Sequence, residues 1–321
     1  MAKKERNRRQ DRFHEIVDYL MKILRRRSVA IPHDLLNFML VLIIMGLFCY
    51  GAYAVWDSFL MVKSADPRQY EVYDPAKDAR RFEEMKAANP DIFGWIKVYG
   101  TRINYPLAQG ETETEYLSKD AWGAYSVSGT PFLSVANSCD LTDFNNIIYG
   151  HHMDMGAMFS DLELFDSEAF FKAHKYGKIV HNKKTEGIEF CYFINADAHD
   201  DRIFKGPLTD EASKQAMIEA WRELAKYKRE QNLSTDERYV MLVTCSGIAT
   251  ISNQRHILVG RLTDKVPEDT FGFDAPTDIQ IIANIIPWWM FAILLLIVLV
   301  LIIVDRKSVV EGQSVSSGGG V

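Results

Sequence analysis

Two long apolar runs frame the chain, and between them the pattern shortens to β-type segments. Residues 35–56 include no charged side chain. As a helix they span roughly 33 Å at 1.5 Å per residue, enough to cross a hydrocarbon core of about 30 Å. Residues 285–304 form a second run of the same kind, followed by Asp305-Arg306-Lys307. Two transmembrane helices are predicted. A cleaved signal peptide is the rival reading of the first run, whose apolar stretch exceeds the about 7–15 residues of such a segment.

In the middle, Trp95-Ile96-Lys97-Val98-Tyr99 and Ile103-Asn104-Tyr105-Pro106-Leu107 are short strand-like runs separated by Gly100-Thr101. Residues 130–135, 146–149, 177–181, 187–196, 239–244 and 256–262 continue the series. Many short strands with turn signals between them predict a mainly β barrel or sandwich. Two helices interrupt it. One covers 78–88 and stops at Asn89-Pro90, because the residue before proline is biased away from helix. The other covers about 209–228, capped by Thr209 or Asp210. Its Met217, Trp221 and Leu224 share one face, while Lys214, Glu219, Arg222 and Glu223 take the other, a core-packing stripe. The segmentation is a basic head (1–34), a span (35–56), a helical linker (57–88), a globular body (89–265), a linker (266–284), a second span (285–304) and a Ser/Gly-rich disordered tail (305–321).

Charge sharpens this layout. The net charge is −6, yet residues 1–30 contain ten Lys/Arg against four Asp/Glu. Arg25-Arg26-Arg27 and Arg306-Lys307 flank the two runs, and the positive-inside rule assigns both to the cytoplasm. Residues 57–284 are then external, with both termini inside. The basic head thus serves topology, and an acidic outer domain argues against nucleic-acid binding. Of four cysteines, Cys49 lies in the first run and Cys139, Cys191 and Cys245 lie outside it. An odd number of external thiols leaves at least one unpaired. Cys191, within an apolar strand, reads as core; a Cys139–Cys191 disulfide stays open. With no Gly-rich phosphate loop and no CxxC or HExxH spacing, neither cofactor nor metal is expected.

One constellation carries chemistry. Tyr239-Val240-Met241-Leu242-Val243-Thr244-Cys245 suits a strand covered on both faces, with Cys245 at its end. Arg255 opens the next strand-like run, so a hairpin sets Cys245 and Arg255 at one rim. His151 follows Asn146-Ile147-Ile148-Tyr149-Gly150, another strand end. It is the candidate acid/base partner that a thiol nucleophile needs, with His152 its rival, and only one of two consecutive residues faces the cysteine. Arg255 supplies a fixed charge and donors for an oxyanion. The bland account is a buried cysteine, a surface histidine and a surface arginine.

Tyr149-Gly150-His151 with Met158-Phe159 and Leu162, Val243-Thr244-Cys245, Arg255-His256-Ile257-Leu258-Val259, Asn89-Pro90-Asp91 with Gly94-Trp95-Ile96, and Ile103-Asn104-Tyr105-Pro106 together resemble the sortases, class B above all. The helix near 209–228 is also a class B feature. The resemblance covers roughly 89–262. It implies an eight-stranded sortase-type β-barrel and a cysteine transpeptidase with Cys245, His151 and Arg255 as catalytic residues. Its expected partners are exported proteins with a C-terminal sorting signal, an amine acceptor from peptidoglycan precursor or pilin lysine, and the lipid bilayer. His152 stands where class B enzymes often have asparagine, and Val243 occupies a position where many relatives carry a hydroxyl. A second span is usual in the pilus-polymerising class C, whose Asp-Pro-aromatic lid is missing from Asp66-Pro67-Arg68 and Asp74-Pro75-Ala76. Three functions follow: cell-wall anchoring or pilus assembly by transpeptidation, hydrolysis by a cysteine peptidase, or a membrane-tethered binding module without activity.

Overall fold

The computed structural model describes residues 33–153, 156–229, 232–245, 253–272 and 278–286, with Met290. The chain divides into two compact units, Met1–Ala54 and Val55–Val321. Helix α1 (His33–Ser64) runs through the boundary. Its stretch Phe38–Ser64 is the one helix among the described residues long and apolar enough to cross a membrane. The predicted limit at residue 56 fell at the first charge, Asp57. Ser58-Phe59-Leu60-Met61-Val62 restores the apolar run, so the helix continues to Ser64. Of the second predicted span, only Ile285, Ile286 and Met290 are described; the rest lies outside the described residues, as do residues 1–32 of the basic head and the tail. Helix α5 (Asp278–Ile285) occupies the end of the predicted linker, and its Asp278 pairs with Lys63 at 3.5 Å.

Helix α2 (Ala79–Ala88) is capped by Asp78, whose carboxylate accepts from the Arg80 N–H, and it ends at Asn89 before Pro90. The strands that follow are β1 (Ile92–Val98), β2 (Asn104–Ala108), β3 (Phe132–Leu133), β4 (Asn145–Gly150), β5 (Tyr176–His181), β6 (Lys184–Asp197), β7 (Ala225–Lys228), β8 (Tyr239–Cys245) and β9 (Gln254–Thr263). Eight of them pair in the order β5-β1-β2-β3-β4-β8-β9-β6, and β5 pairs back to β6, closing the barrel. Closure leaves no free edge in that ring. β3 is far shorter than the expected 130–135, since Pro131 has no N–H to give a ladder.

Helix α3 (Glu168–Ala173) precedes β5, and α4 (Glu211–Leu224) follows β6. Asp210 caps α4, accepting from the Ser213 N–H at 2.8 Å. The helix does not reach residue 228 as predicted. Ala225–Lys228 pairs with β6 as a ninth strand outside the ring, using the edge that β6 offers beyond its β5 pairing. Tyr227 then lies on Phe193, ring centroids 6.4 Å apart.

β8 shows why five apolar residues stand in a row. Val240 and Leu242 join the main core with Ile148, Leu258, Trp95 and Tyr105. Tyr239, Met241 and Val243 face the other way, into a second core with Ile147, Ile257 and Val259. That core is roofed by Met217, Ile218 and Trp221 of α4, with Trp221 stacked on Phe144 at 5.9 Å. Each large apolar side chain so buried contributes roughly 1.5–3 kcal/mol. β8 is therefore held on both faces from Tyr239 to Val243.

Candidate active site

Three adjacent strands deliver the candidate residues. β4 and β8 run parallel, with Tyr149 level with Val243 and Gly150 with Thr244. β8 and β9 run antiparallel, with Cys245 directly opposite Arg255. His151 follows Gly150, so the next step of the same register brings it level with Cys245. Period-two alternation puts Arg255 and Tyr149 on the face of the second core, because Ile257 and Ile147 lie there. Thr244 and His256, also paired, take the opposite face.

The His151 backbone is fixed from behind: its carbonyl accepts from the Phe159 N–H at 2.9 Å. Fully buried Phe159 fills the space that a Gly150 side chain would need, since a Cβ there would lie 2.5 Å from the ring. Nε2 of His151 lies 2.7 Å from the Leu117 carbonyl. A carbonyl only accepts, so Nε2 carries a proton, and in the neutral ring the lone pair belongs to Nδ1. Gly129 passes close by with φ +63°, and a Cβ there would stand 3.0 Å from His151 Cδ2 and 2.5 Å from the Tyr116 carbonyl. Only glycine suits both that backbone angle and that approach.

His152 is separated from this arrangement. It bridges to Met158, and its Nε2 is 3.9 Å from Glu163. It lines a cavity of about 660 Å³ with Arg102, Ser160, Asp161, Glu163 and Asp166, whereas His151 does not. The two histidines thus diverge, as consecutive residues at a strand end must. His256 is buried on the inner face, its ring 5.6 Å from Phe193. Burial lowers its pKa, with Asp166 and Glu163 opposing, so it stays neutral.

Arg255 is half-buried and donates to the Gln254 carbonyl at 3.3 Å. Its charge is felt by two neighbours. Asp197, opposite Gln254, is held below the usual carboxylate range chiefly by hydrogen bonds from His199, with Arg255 adding to the effect. The Tyr149 hydroxyl is pushed up to about 12 by burial and by Glu113, with Arg255 pulling against them. Glu113 itself accepts from the Ser134 hydroxyl and the Val135 N–H. Tyr149 and Glu113 were not singled out from sequence. The alternation that distinguished His151 from His152 also selects Tyr149, two residues earlier on the same face. Glu113, in a loop, carries no such signal, and neither does a backbone carbonyl such as that of Leu117.

Cys139 and Cys191 have separate partners. Cys139 donates to Gln109 Oε1 at 2.8 Å and Cys191 to the Glu189 carbonyl at 3.1 Å, so they form no disulfide. Burial pushes Cys139 up to about 11 and Cys191 up to about 12.

No family model matches the chain. The crystal structure of sortase B from the type II pilus of Streptococcus pneumoniae is 36% identical, covers 57% of this chain and 99% of that one, and superposes with a TM-score of 0.50. A Streptococcus pyogenes class B sortase involved in pilus biogenesis is 31% identical over 56% of this chain and 97% of that one, TM-score 0.52. Sortase B of Staphylococcus aureus is 28% identical over 193 residues, 57% of this chain and 74% of the relative. Two relatives above 30% identity, matched almost end to end on a closed eight-stranded barrel, place the chain in the sortase family, as a class B-like member.

Proposed function

We propose that the chain is a membrane-anchored cysteine transpeptidase that cleaves a C-terminal sorting motif after Thr and transfers the acyl group to an amine on the cell wall. The Cys245 thiolate attacks the carbonyl carbon of the Thr–x bond, and Arg255 donates hydrogen bonds to the oxyanion. Nδ1 of His151, having taken the thiol's proton as the thiolate formed, gives it to the leaving amine, and the C–N bond breaks to leave a thioester. The incoming amine attacks that thioester, His151 takes its proton, and the thiolate departs. The observation that carries this reading is the register, with Cys245 opposite Arg255 and Gly150 level with Thr244. Helix α1, with the basic head before it, supports an anchor whose N-terminus is cytoplasmic and whose barrel is external.

A pilin lysine as acceptor is the second reading, favoured by the two pilus-associated relatives being 36% and 31% identical, against 28% for the Staphylococcus aureus enzyme. Purified full-length chain, a sorting peptide and either a peptidoglycan cross-bridge amine or a lysine-bearing pilin peptide test both readings. Amide product, abolished by Cys245→Ala, is the expected outcome. Release to water alone, at a rate no amine changes, would favour the hydrolase and overturn transpeptidation.

A further inference from the structure

The segment from Tyr116 to Gly129 carries apolar side chains that the fold leaves in the open. Tyr125 is 81% exposed, Val127 54%, Trp122 39% and Leu117 36%. Their neighbours in the loop are tied down: Lys119 pairs with Glu115, and Asp120 accepts from the Trp122 and Ala124 N–H groups. The apolar tips are thus the part of this loop offered to its surroundings.

What lies next to it is the end of the apolar helix. The Ser64 hydroxyl, on the last residue of α1, is 3.5 Å from the Ser128 hydroxyl, which in turn lies 2.7 Å from that of Ser126. The chain leaving the helix stays against the same loop. Tyr73 meets Trp122 edge-on at 5.0 Å, and the Tyr70 hydroxyl, pushed up to about 12 by burial, bonds the backbone at Ala121. The Ala65 carbonyl accepts from the Tyr105 hydroxyl at 2.8 Å, locking the helix end to the barrel. A helix that spans a bilayer as far as Ser64 brings this loop to the lipid–water boundary. Trp and Tyr are the side chains favoured at that depth, since their rings are amphipathic, while Lys63 and Arg68 suit the headgroup level.

We infer that the loop 116–129 seats in the lipid–water interface, with Trp122, Tyr125 and Val127 among the lipids, and thereby holds the His151 end of the barrel against the bilayer. The coupling to the site is direct, because Leu117 of this loop supplies the carbonyl bonded to His151, and Gly129 of the same loop packs on its ring. Substrates still tethered by an apolar span would then reach the thiol without leaving the membrane surface. The inference rests on the anchoring reading above.

The test is photocrosslinking of the full-length chain in lipid nanodiscs, with p-benzoylphenylalanine in place of Tyr125. Tyr125 is so exposed that the substitution leaves packing intact. The control carries the same group in place of Arg222, exposed on α4, a helix that packs on Tyr239 at the far end of β8 from Cys245. Lipid adducts at position 125 and their loss at position 222 are expected. No lipid adduct at 125, or crosslinks there to a second protein chain instead, would overturn the inference while leaving the anchor intact. A chain that separates from the discs would sink the anchoring reading and this inference with it. If the loop contacts lipid, Trp122→Ser with Tyr125→Ser should slow transfer from a lipid-tethered sorting substrate and leave transfer from a soluble peptide unchanged.

Discussion

At the scale of single residues, Cys139 and Cys191 are governed by what surrounds them. Nucleophilicity resides in the thiolate, and burial works against forming it. Cys139 and Cys191, held at about 11 and about 12, present almost none near pH 7.5. Brief iodoacetamide treatment of the folded protein at that pH, followed by peptide mapping, should modify Cys245 and spare both others until the protein is denatured. Labelling of Cys191 before Cys245 would contradict the assignment of the nucleophile. The histidine and arginine are distinguished by what they do. Loss of a general acid/base costs about 10²–10⁴-fold, so His151→Ala should reduce amide formation by that order. Arg255→Lys keeps the charge but loses the two-pronged donor geometry, and an oxyanion donor is worth about 10²–10³ in kcat. His152→Ala should be mild, because that ring belongs to the Glu163 side. Parallel kcat measurements on the three variants check this, and equal damage from His151→Ala and His152→Ala would reverse the assignment of the base.

At the scale of elements, alternation made much of the site legible in the sequence. The ends of β4 and β8 and the start of β9 were marked by Gly150, Cys245 and Arg255, and the observed ladders join those ends. Of the two caps read for the second helix, Thr209 or Asp210, the structure uses Asp210; Asp78, read as the first residue of its helix, is that helix's cap instead. What escaped was decided by partners distant in the chain. Ala225–Lys228 continues a helical pattern locally, yet the free edge of β6 recruits it as β7. The carboxylate of Glu186 on β6 was equally silent. Burial alone would raise its pKa, but Arg238, Lys184 and His181 surround it and hold it at about 2. Its folded pKa lies below the unfolded value of about 4.3, so its contribution is complete above that pH and lost as pH falls toward 2. Glu186→Gln leaves Arg238 and Lys184, both partly exposed, facing a neutral amide. The expected cost is roughly 1–3 kcal/mol at neutral pH, with a flatter acid limb between about 4.3 and 2. Urea unfolding of both proteins across that range measures it; an unchanged acid limb would show that the pairing does not operate.

At the scale of the whole molecule, the segments on either side of the barrel carry its relation to the membrane. A closed barrel needs no partner to cover its edges, so the enzyme's location is set by the segments outside the ring. Helix α1 is one of these, with none of its most apolar window buried. The apolar run 285–304 is proposed as the second; α5 leads into it, and its Asp278 pairs with Lys63 in the last turn of α1. That ion pair sets the start of α5 beside the C-terminal turn of α1. From the basic clusters at Arg25-Arg26-Arg27 and Arg306-Lys307 we propose that 285–304 is a second span and that both termini are cytoplasmic. Two epitope tags, one before Met1 and one after Val321, make this measurable in protoplasts. Added protease should remove the barrel and leave both tags attached to membrane-protected fragments, whereas permeabilised cells should lose both. If only the N-terminal tag were protected, residues 285–304 would lie outside the cell and the chain would have a single span, with its anchor and the barrel's exposure unaltered. Loss of the N-terminal tag while the barrel survived would instead invert the orientation and deprive the enzyme of exported substrates.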